Sequence, residues 1–413
     1  MLNLLDLGLR LPALAAATPA AAPRVLILGD ADFAYAAALT QRLGRSAAVT
    51  ATAFEDEDTL LVRYPHAAAS MATLRQLGAT VRCGVDARWL EDLGCADPWE
   101  RVVFNLPQSP PEPKARNQIQ RHRALLRELC ASCAAHLAPR GELWITLLSG
   151  QGGTALDPIQ RSSAGDTWKI QEQAASAGLL VRAVEPVDLH TLEEAGYAPT
   201  GRRASGPGQL GTRRKSKGLV LHVMAAARPE DGAEAPRSVT PLEWTLDNSF
   251  WLGADADRGS SGCGGVAGGG GVAGSSDGGG VGSAATAAAA DSATGAGTPA
   301  ATEADAVSEP APEPMPVELL ARCREALGAD AAHALADEPK LIDSYERPED
   351  GRRARTYRFV YRSSVLPLCR ERALELNALV CTALAAQSHL EPRVPSKETL
   401  AESLSGDEEE ERA

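Results

Sequence analysis

The stretch Val25 to Gly44, VLILGDADFAYAAALTQRLG, joins an apolar run to an Ala/Leu helix pattern through a loop with one glycine and two acids. A strand, tight turn and helix at the head of an alternating α/β sequence put such a loop at the carboxyl end of the first strand, where nucleotide-like ligands lie against the backbone. Phosphate-binding loops are rich in glycine, because several N–H groups must converge on an anion. Here Gly29 stands alone, followed by Asp30, Asp32 and Phe33. That is poor chemistry for a pyrophosphate or triphosphate. It suits a ligand with a positive centre or an amino group, and S-adenosylmethionine has both.

The loop needs a scaffold, and the chain from Arg24 to Met224 supplies one. Short apolar runs alternate with helical patterns, the signature of a parallel sheet with crossover helices. The predicted strands are RVLILG, AAVTATAF, TVRCGVDA, RVVFNLP, GELWITLL, LLVRAVEPV and KGLVLHVM, with helices such as NQIQRHRALLRELCASCAAHL and DTWKIQEQAASAG between them. Periodicity alone gives a doubly wound α/β domain. A second region begins near Arg237 with SVTPLEWTLDNSFWL and resumes at PVELLARCREALG. Between them, over 254–314, runs a Gly/Ala/Ser tract that buries too little apolar surface to offset its ordering entropy, so it is expected to be disordered. Loop-closure entropy grows slowly with length, so an insert within one domain is as tolerable as a linker between two.

The 413 residues carry a net charge of −13, which argues against nonspecific binding of polyanions by the whole molecule. The charge is uneven, however. The C-terminal tail 394–413 is acidic, whereas GRRASGPGQLGTRRKSKG and GRRARTYRFVYR are basic, so contact with RNA is not excluded. No apolar run approaches the roughly 20 residues that cross a bilayer, and no membrane partner is expected. Eight cysteines show no paired framework. Cys130 and Cys133 have C-x-x-C spacing in a predicted helix without a second pair or a histidine cluster, and read as buried thiols; no metal is expected. Residues 1–23 read as a leader or a disordered N-terminus.

The ordered succession ILGDADFAYAAAL, VTATAFEDEDTLLVRYPHA, GVDARWL, RVVFNLPQ, GELWITLLSG, TWKIQEQAASAGL and AGYAPTGRR resembles the ribosomal RNA (uridine-N3) methyltransferase family. The resemblance implies a Rossmann-like seven-stranded domain over 24–226 and S-adenosylmethionine as cofactor. It sets Gly29, Asp30, Asp32 and Phe33 on the family's Gly-Glu-Gly-Asp/Asn-Phe loop, beside the methionine part of the cofactor. A helix cap or turn is the competing role for the two acids. Ala31 replaces the second glycine, and a left-handed backbone there would cost alanine on the order of 1 kcal/mol. Asp86, after the third strand, falls where related enzymes bond the adenine amino group; Thr50, Ala51 and Thr52 leave no acid for the ribose at the end of the second. Asn105 and Pro107 match the family's Asn-Phe-Pro-His at the catalytic end of the fourth strand, where an amide and a stiffened carbonyl can grip the edge of an extruded base. Leu106 and Gln108 depart from the pattern, and the lost histidine removes a candidate acceptor for the uridine N3 proton. Trp168 and Tyr197 fall on aromatic positions of the family and are candidate base contacts, with core packing as the competing role. Arg202 and Arg203 follow as candidate RNA contacts.

The second region, 237–393, resembles the ferredoxin-fold anticodon-binding domain through PLEWTLDNSFWL, ELLARCREALG, KLIDSYERPEDGRRARTYRFVYRSS and LELNALVCTALAA. This implies a small α+β sandwich, interrupted by the 254–314 insert, with Arg352, Arg353 and Arg355 toward RNA phosphates; a solvated sheet edge is the competing role. Tyr357, Phe359 and Tyr361 alternate as a core face. The expectation is a methyltransferase acting on ribosomal RNA, with transfer RNA as a further possible partner, in the nucleolus or nucleus. The alternative is an RNA-binding protein on the same fold that has lost catalysis; cytoplasm or an organelle is the alternative location.

Overall fold

The computed structural model describes residues 22–95, 97–109, 117–194, 197, 200–203, 206–209, 218–227, 236–253, 315–386 and 390–393. The N-terminal stretch up to residue 21, the 254–314 insert and the acidic tail lie outside them. The first unit is the Rossmann-like sheet read from the sequence. Its strands are β1 (Arg24–Leu28), β2 (Ala48–Thr52), β3 (Thr80–Arg82), β4 (Trp99–Asn105), β5 (Leu137–Leu148), β6 (Leu179–Val187) and β9 (Leu219–Ala226), in the order β3-β2-β1-β4-β5-β9-β6. β1 to β5 run parallel, while β9 inserts antiparallel between β5 and β6. A separate hairpin, β7 (Thr200–Arg203) with β8 (Gly206–Gln209), was not legible in the sequence.

Continuous apolar runs make these strands because both sheet faces are covered. Val25 and Ile27 of β1 pack into one layer, with α1 (Ala34–Leu43) and α3 (Ala67–Gln76). Leu26 and Leu28 point the other way, toward α4 (Gln118–His136) and α5 (Ile170–Ser176). The short helix α2 (Glu57–Arg63) follows β2, and α6 (Leu189–Glu194) follows β6. Cys130 and Cys133 are core residues of α4, where burial pushes the Cys130 thiol up to about 12, as expected of inert thiols. Two predicted strands end early. Gly84, at φ 72°, turns the chain soon after Arg82, so Asp86 sits in the following loop; β2 stops at Thr52 and frees Phe54 and Glu55.

The second unit is a four-stranded antiparallel sheet in the order β11-β12-β10-β13, built from β10 (Glu243–Leu252), β11 (Lys340–Glu346), β12 (Arg353–Arg362) and β13 (Leu390–Pro392). The helices α7 (Val317–Ala331), broken at Gly328, and α8 (Arg370–Ala385) complete a β-α-β-β-α-β ferredoxin-like arrangement. Phe250, Tyr357, Phe359 and Tyr361 form its core with Leu320, Leu376 and Val380, so the alternation read in β12 holds.

A charged group is buried where β4, β5 and β6 approach one another. The Arg101 guanidinium, 1% exposed, lies 2.5 Å from Glu142 Oε2 and over the Trp144 ring, whose Nε1 donates to the same oxygen at 2.8 Å. Arg182, half exposed, takes Glu142 Oε1 at 2.6 Å. Glu142→Ala removes the buried carboxylate that faces Arg101 and is expected to lower the unfolding free energy by about 3 kcal/mol, whereas Arg182→Ala is expected to cost under about 1 kcal/mol. Urea denaturation of the two variants checks the contrast; equal losses would contradict it.

Candidate active site

β1 and β4 are neighbours, but the sheet grows outward from them in opposite directions. At such a switch point the crossovers leave a crevice beyond the carboxyl ends of the strands. A cavity of about 160 Å³ opens there. Its floor is the contact of Gly29 with Phe104. Gly29 is left-handed at φ 61°, and a Cβ on it would stand 2.5 Å from Phe104 Cε2, so only glycine fits.

Carboxylates line one side. Asp30 reaches the cavity, and its Oδ2 accepts the Ala36 N–H at 2.7 Å. Burial, and secondarily Asp32, push its pKa up to about 7, while the N–H groups of Ala36 and Tyr35 act in the opposite sense. Asp32 instead accepts the Ala34 N–H at 3.1 Å, and Phe33, at φ 57°, is a buried core residue at the head of α1. The expected loop therefore divides: Gly29 and Asp30 face the cavity, while Asp32 and Phe33 start the helix and lie off the cavity lining. Ala31 is not left-handed, so it carries none of the strain its substitution for glycine would imply.

Glu55 lines the cavity three residues beyond β2, paired with Arg63. It is an acid near the strand end where the sequence had offered only threonine and alanine. The signal was present in FEDED, but only the fold separates Glu55 from Asp56, which caps α2 by accepting the Thr59 N–H at 2.8 Å. Asp86 also lines the cavity, and so does Arg88. Arg88 Nε and backbone N each donate to Asp86 Oδ1 at 3.0 Å, and Nη2 donates to Oδ2 at 2.7 Å, holding this carboxyl below its usual range. A ligand amino group at Asp86 must compete with that fork.

The opposite side is built from Asn105, Leu106, Pro107 and Gln108. Leu106 has φ 52°, although a residue before proline favours extended backbone, and its N–H is held by the Thr146 carbonyl at 2.8 Å. Strain of this kind, on the order of 1 kcal/mol, gathers at ligand sites. Asn105 shares a hydrogen bond with the Tyr35 hydroxyl, while its buried Oδ1 has no partner. Tyr35 stands edge-on to Tyr197 at 5.3 Å, and burial raises both phenols. Tyr197 and Trp168 both line the cavity, so base contact and core packing are compatible for each. The loop after β5 adds Gln151, which the sequence reading missed; its Oε1 accepts the Leu148 N–H at 3.0 Å. Behind it, Gly152 packs on the buried His222 ring, itself 3.6 Å from buried Asp157.

Arg352, Arg353 and Arg355 lie away from this cavity, at the β11–β12 end of the small sheet. Arg352 is bonded to Glu391 at 2.6 Å and Arg353 to Glu346 at 3.1 Å, while Arg355 is exposed. Arg358 and Arg362 pair with Asp247 and Glu243. The basic run in the sequence thus becomes a largely compensated surface, because β10 and β11 present acids across from it. Arg347, Arg352 and Arg393 gather over the Trp251 ring at 4.4, 5.0 and 5.2 Å. Arg202 and Arg203 fall in β7, and their side chains lie outside the described residues. Among the described residues no three His, Cys, Asp or Glu side chains form a metal-binding group, and no helix is long and apolar enough to cross a membrane.

The model of the BMT5-like family, described as rRNA (uridine-N3-)-methyltransferase BTM5-like, matches residues 26–199. A mouse protein, ferredoxin-fold anticodon-binding domain-containing protein 1 homolog, is 34% identical over 44% of this chain and 28% of its own. The human ferredoxin-fold anticodon-binding domain-containing protein 1 is 31% identical over 51% and 32%. The chain thus matches about a third of the length of these relatives. Thermus thermophilus TrmN is 15% identical with a TM-score of 0.31 over 54% of this chain and 48% of its own, too low for the likeness to bear on function. The domain that carries the cavity, over residues 26–199, is BMT5-like, similar to the rRNA (uridine-N3-)-methyltransferases.

Proposed function

We propose that this chain binds S-adenosylmethionine in the cavity between β1 and β4 and methylates N3 of a uridine in ribosomal RNA, in the nucleolus or nucleus. One observation carries the reading: at the switch point of a BMT5-like domain, three carboxylates face a wall made of Asn105, Pro107, Trp168 and Tyr197. The donor set fits the cofactor. Asp30 offers a carboxylate to an ammonium, Glu55 an acceptor for ribose hydroxyls, and Asp86 an acceptor for the adenine amine once Arg88 yields. When bound, the cofactor supplies a methyl group on cationic sulfur.

The chain's own work is positioning. Asn105, whose amide the Tyr35 bond fixes, sets a polar group beside the edge of the base; uridine's one N–H is the N3–H that must leave, so Asn105 orients the base rather than holding that proton. Pro107 stiffens the backbone beside it, and the aromatic rings of Trp168 and Tyr197 exclude water from one flank. Among the described cavity residues none is a histidine, so the N3 proton leaves to a carboxylate or to water. Asn105→Ala is expected to cut methyl incorporation into rRNA at least tenfold while changing cofactor affinity less than about threefold, the pattern of a group used mainly in the transition state. Calorimetry with S-adenosylmethionine and labelled methyl transfer to rRNA from the protein's own source check this. Wild-type protein that binds the cofactor and methylates no RNA would support the non-catalytic alternative and overturn the enzyme.

Asp30 gives a pH test. Its folded pKa lies above the unfolded value of about 3.8, so the folded state holds a proton that the unfolded state releases between about pH 4 and 7. Stability from this group is full below that window and lost as pH rises through about 7. A cationic ligand prefers the ionised form, so cofactor affinity should fall toward tenfold per unit as pH drops below about 7. Asp30→Asn is expected to flatten that affinity profile, weaken binding, and raise apo stability at pH 8 by on the order of 1–2 kcal/mol. Calorimetry and denaturation from pH 5 to 8 read both; an unchanged affinity profile in the variant would remove Asp30 from the site.

A further inference from the structure

Trp168 enters the cavity from a segment with little regular structure of its own. A single turn of 3-10 helix, Ala164–Asp166, precedes it, and left-handed Lys169, at φ 48°, follows. An aromatic wall on such a segment must be fixed from outside, and α4 does so with consecutive residues. The His122 imidazole lies flat on the Trp168 ring, with centroids 4.2 Å apart and planes 12° from parallel. Its Nδ1 meets the Gln118 carbonyl one turn earlier at 2.7 Å, which fixes the ring plane. Arg123 donates Nε and Nη2 to the Thr167 carbonyl at 3.0 and 2.8 Å, and Nη2 again to the Gly165 carbonyl at 2.8 Å. One turn further, Arg127 Nε donates to Gln173 Oε1 of α5 at 3.0 Å. His122 and Arg123 are both buried, yet neither lines the cavity. Basic side chains are seldom buried without a specific task.

We propose that His122 and Arg123 are positioning residues of the base pocket, which hold Trp168 as a rigid plane for the substrate base to stack on. The inference rests on reading the cavity as a nucleobase pocket. Stacking on a preset ring avoids the entropy of ordering it during binding, and the cofactor's candidate contacts come from other loops, after β1, β2 and β3. The clamp should therefore act on the base and spare the cofactor.

The test uses the full chain with His122→Ala, His122→Phe and Arg123→Lys. Three quantities are read: S-adenosylmethionine affinity, KM and kcat on rRNA, and binding of uridine 5′-monophosphate followed by the Trp168 indole ¹⁵N–H signal. His122→Ala is expected to raise the rRNA KM and the uridine monophosphate Kd roughly tenfold, as loss of an ordered stacking surface implies, with cofactor affinity held within about twofold. Arg123→Lys should behave alike, because an ammonium cannot bridge the Thr167 and Gly165 carbonyls in a fork. His122→Phe keeps a flat ring against Trp168 and should restore most of the loss, which a merely structural histidine would not predict. Unchanged nucleotide affinity in both His122→Ala and Arg123→Lys, or a matching loss of cofactor affinity, would overturn the clamp. Should wild type methylate no RNA, the enzyme reading fails on its own. The indole signal still decides the clamp: exchange broadening in His122→Ala supports it, and a signal as sharp as wild type removes it.

Discussion

Phe104 can close the floor of the cavity only because Gly29 has no side chain. β1 and β4 pair in register up to Leu28 and Phe104, and the next residue must leave the sheet without parting them. Gly29 does so in a left-handed turn, after which the Asp30 N–H reaches the Thr52 carbonyl of β2 at 2.9 Å. That bond ties the exit of β1 to its other neighbour, and the Phe33 N–H closes the loop on the Asp30 carbonyl at 3.1 Å. The Asp30 carboxylate is thereby delivered to the head of α1 and to the cavity at once. A larger residue at 29 would run into the Phe104 ring and strain a left-handed turn at the point where the sheet order reverses, and the crevice exists because of that reversal.

The carboxylates of the cavity occupy unequal environments. Glu55 has Arg63, and Asp86 has the Arg88 fork that keeps it ionised. Asp30 has backbone N–H groups on one oxygen, burial around it and Asp32 close by, which together leave its charge short of compensation. A ligand that brings positive charge restores the balance at Asp30 and gains little at the other two, which are better placed to accept neutral donors. The site is graded, and the gradient runs from the end of β1 toward the loops after β2 and β3. Asn105 continues it on the far side as an uncharged acceptor held in place by Tyr35.

The succession of strands and both fold classes were legible because apolar runs of the first unit are buried on two faces and those of β12 on one, so each wrote its own period into the sequence. Gly29 and Asp30 were legible from the strand, turn and helix at the head of the chain, whereas Asp86, Asn105, Pro107, Trp168 and Tyr197 were singled out by their places in the resemblance; all seven line the cavity. Asp32 and Phe33 looked equivalent to their neighbours; a turn of one residue sends them to the helix cap and the core. Glu55, Arg88 and Gln151 were not legible, since loop geometry set by Gly84, by the Asp56 cap and by the packing of Gly152 on His222 decides which side chain faces inward. The acid partners of several arginines of the basic run were not legible either. Asp247 and Glu243, the partners of Arg358 and Arg362, lie more than 100 residues away in sequence and meet them only across the β10–β12 ladder.

That compensation bears on how the two units work together. Several arginines of the small sheet are paired with acids, and its placement beside the first unit is held by specific contacts. The segment before β10 sets that placement: the Ser238 N–H donates to the Ser364 carbonyl of the second unit at 2.6 Å, while the Val239 N–H donates to the Val181 carbonyl of β6 at 3.0 Å. Thr240 donates its hydroxyl to Gln171 Oε1 at 3.1 Å, and Gln171 belongs to α5, which begins two residues after Trp168. The helix that carries the aromatic wall at one end therefore carries the attachment of the second unit along its first turn. α4 grips the same stretch from inside through Arg123 and Arg127. A wall held between a core helix and the link to a neighbouring domain has little freedom to move, and that rigidity is what a pocket needs if it works by orienting a planar base.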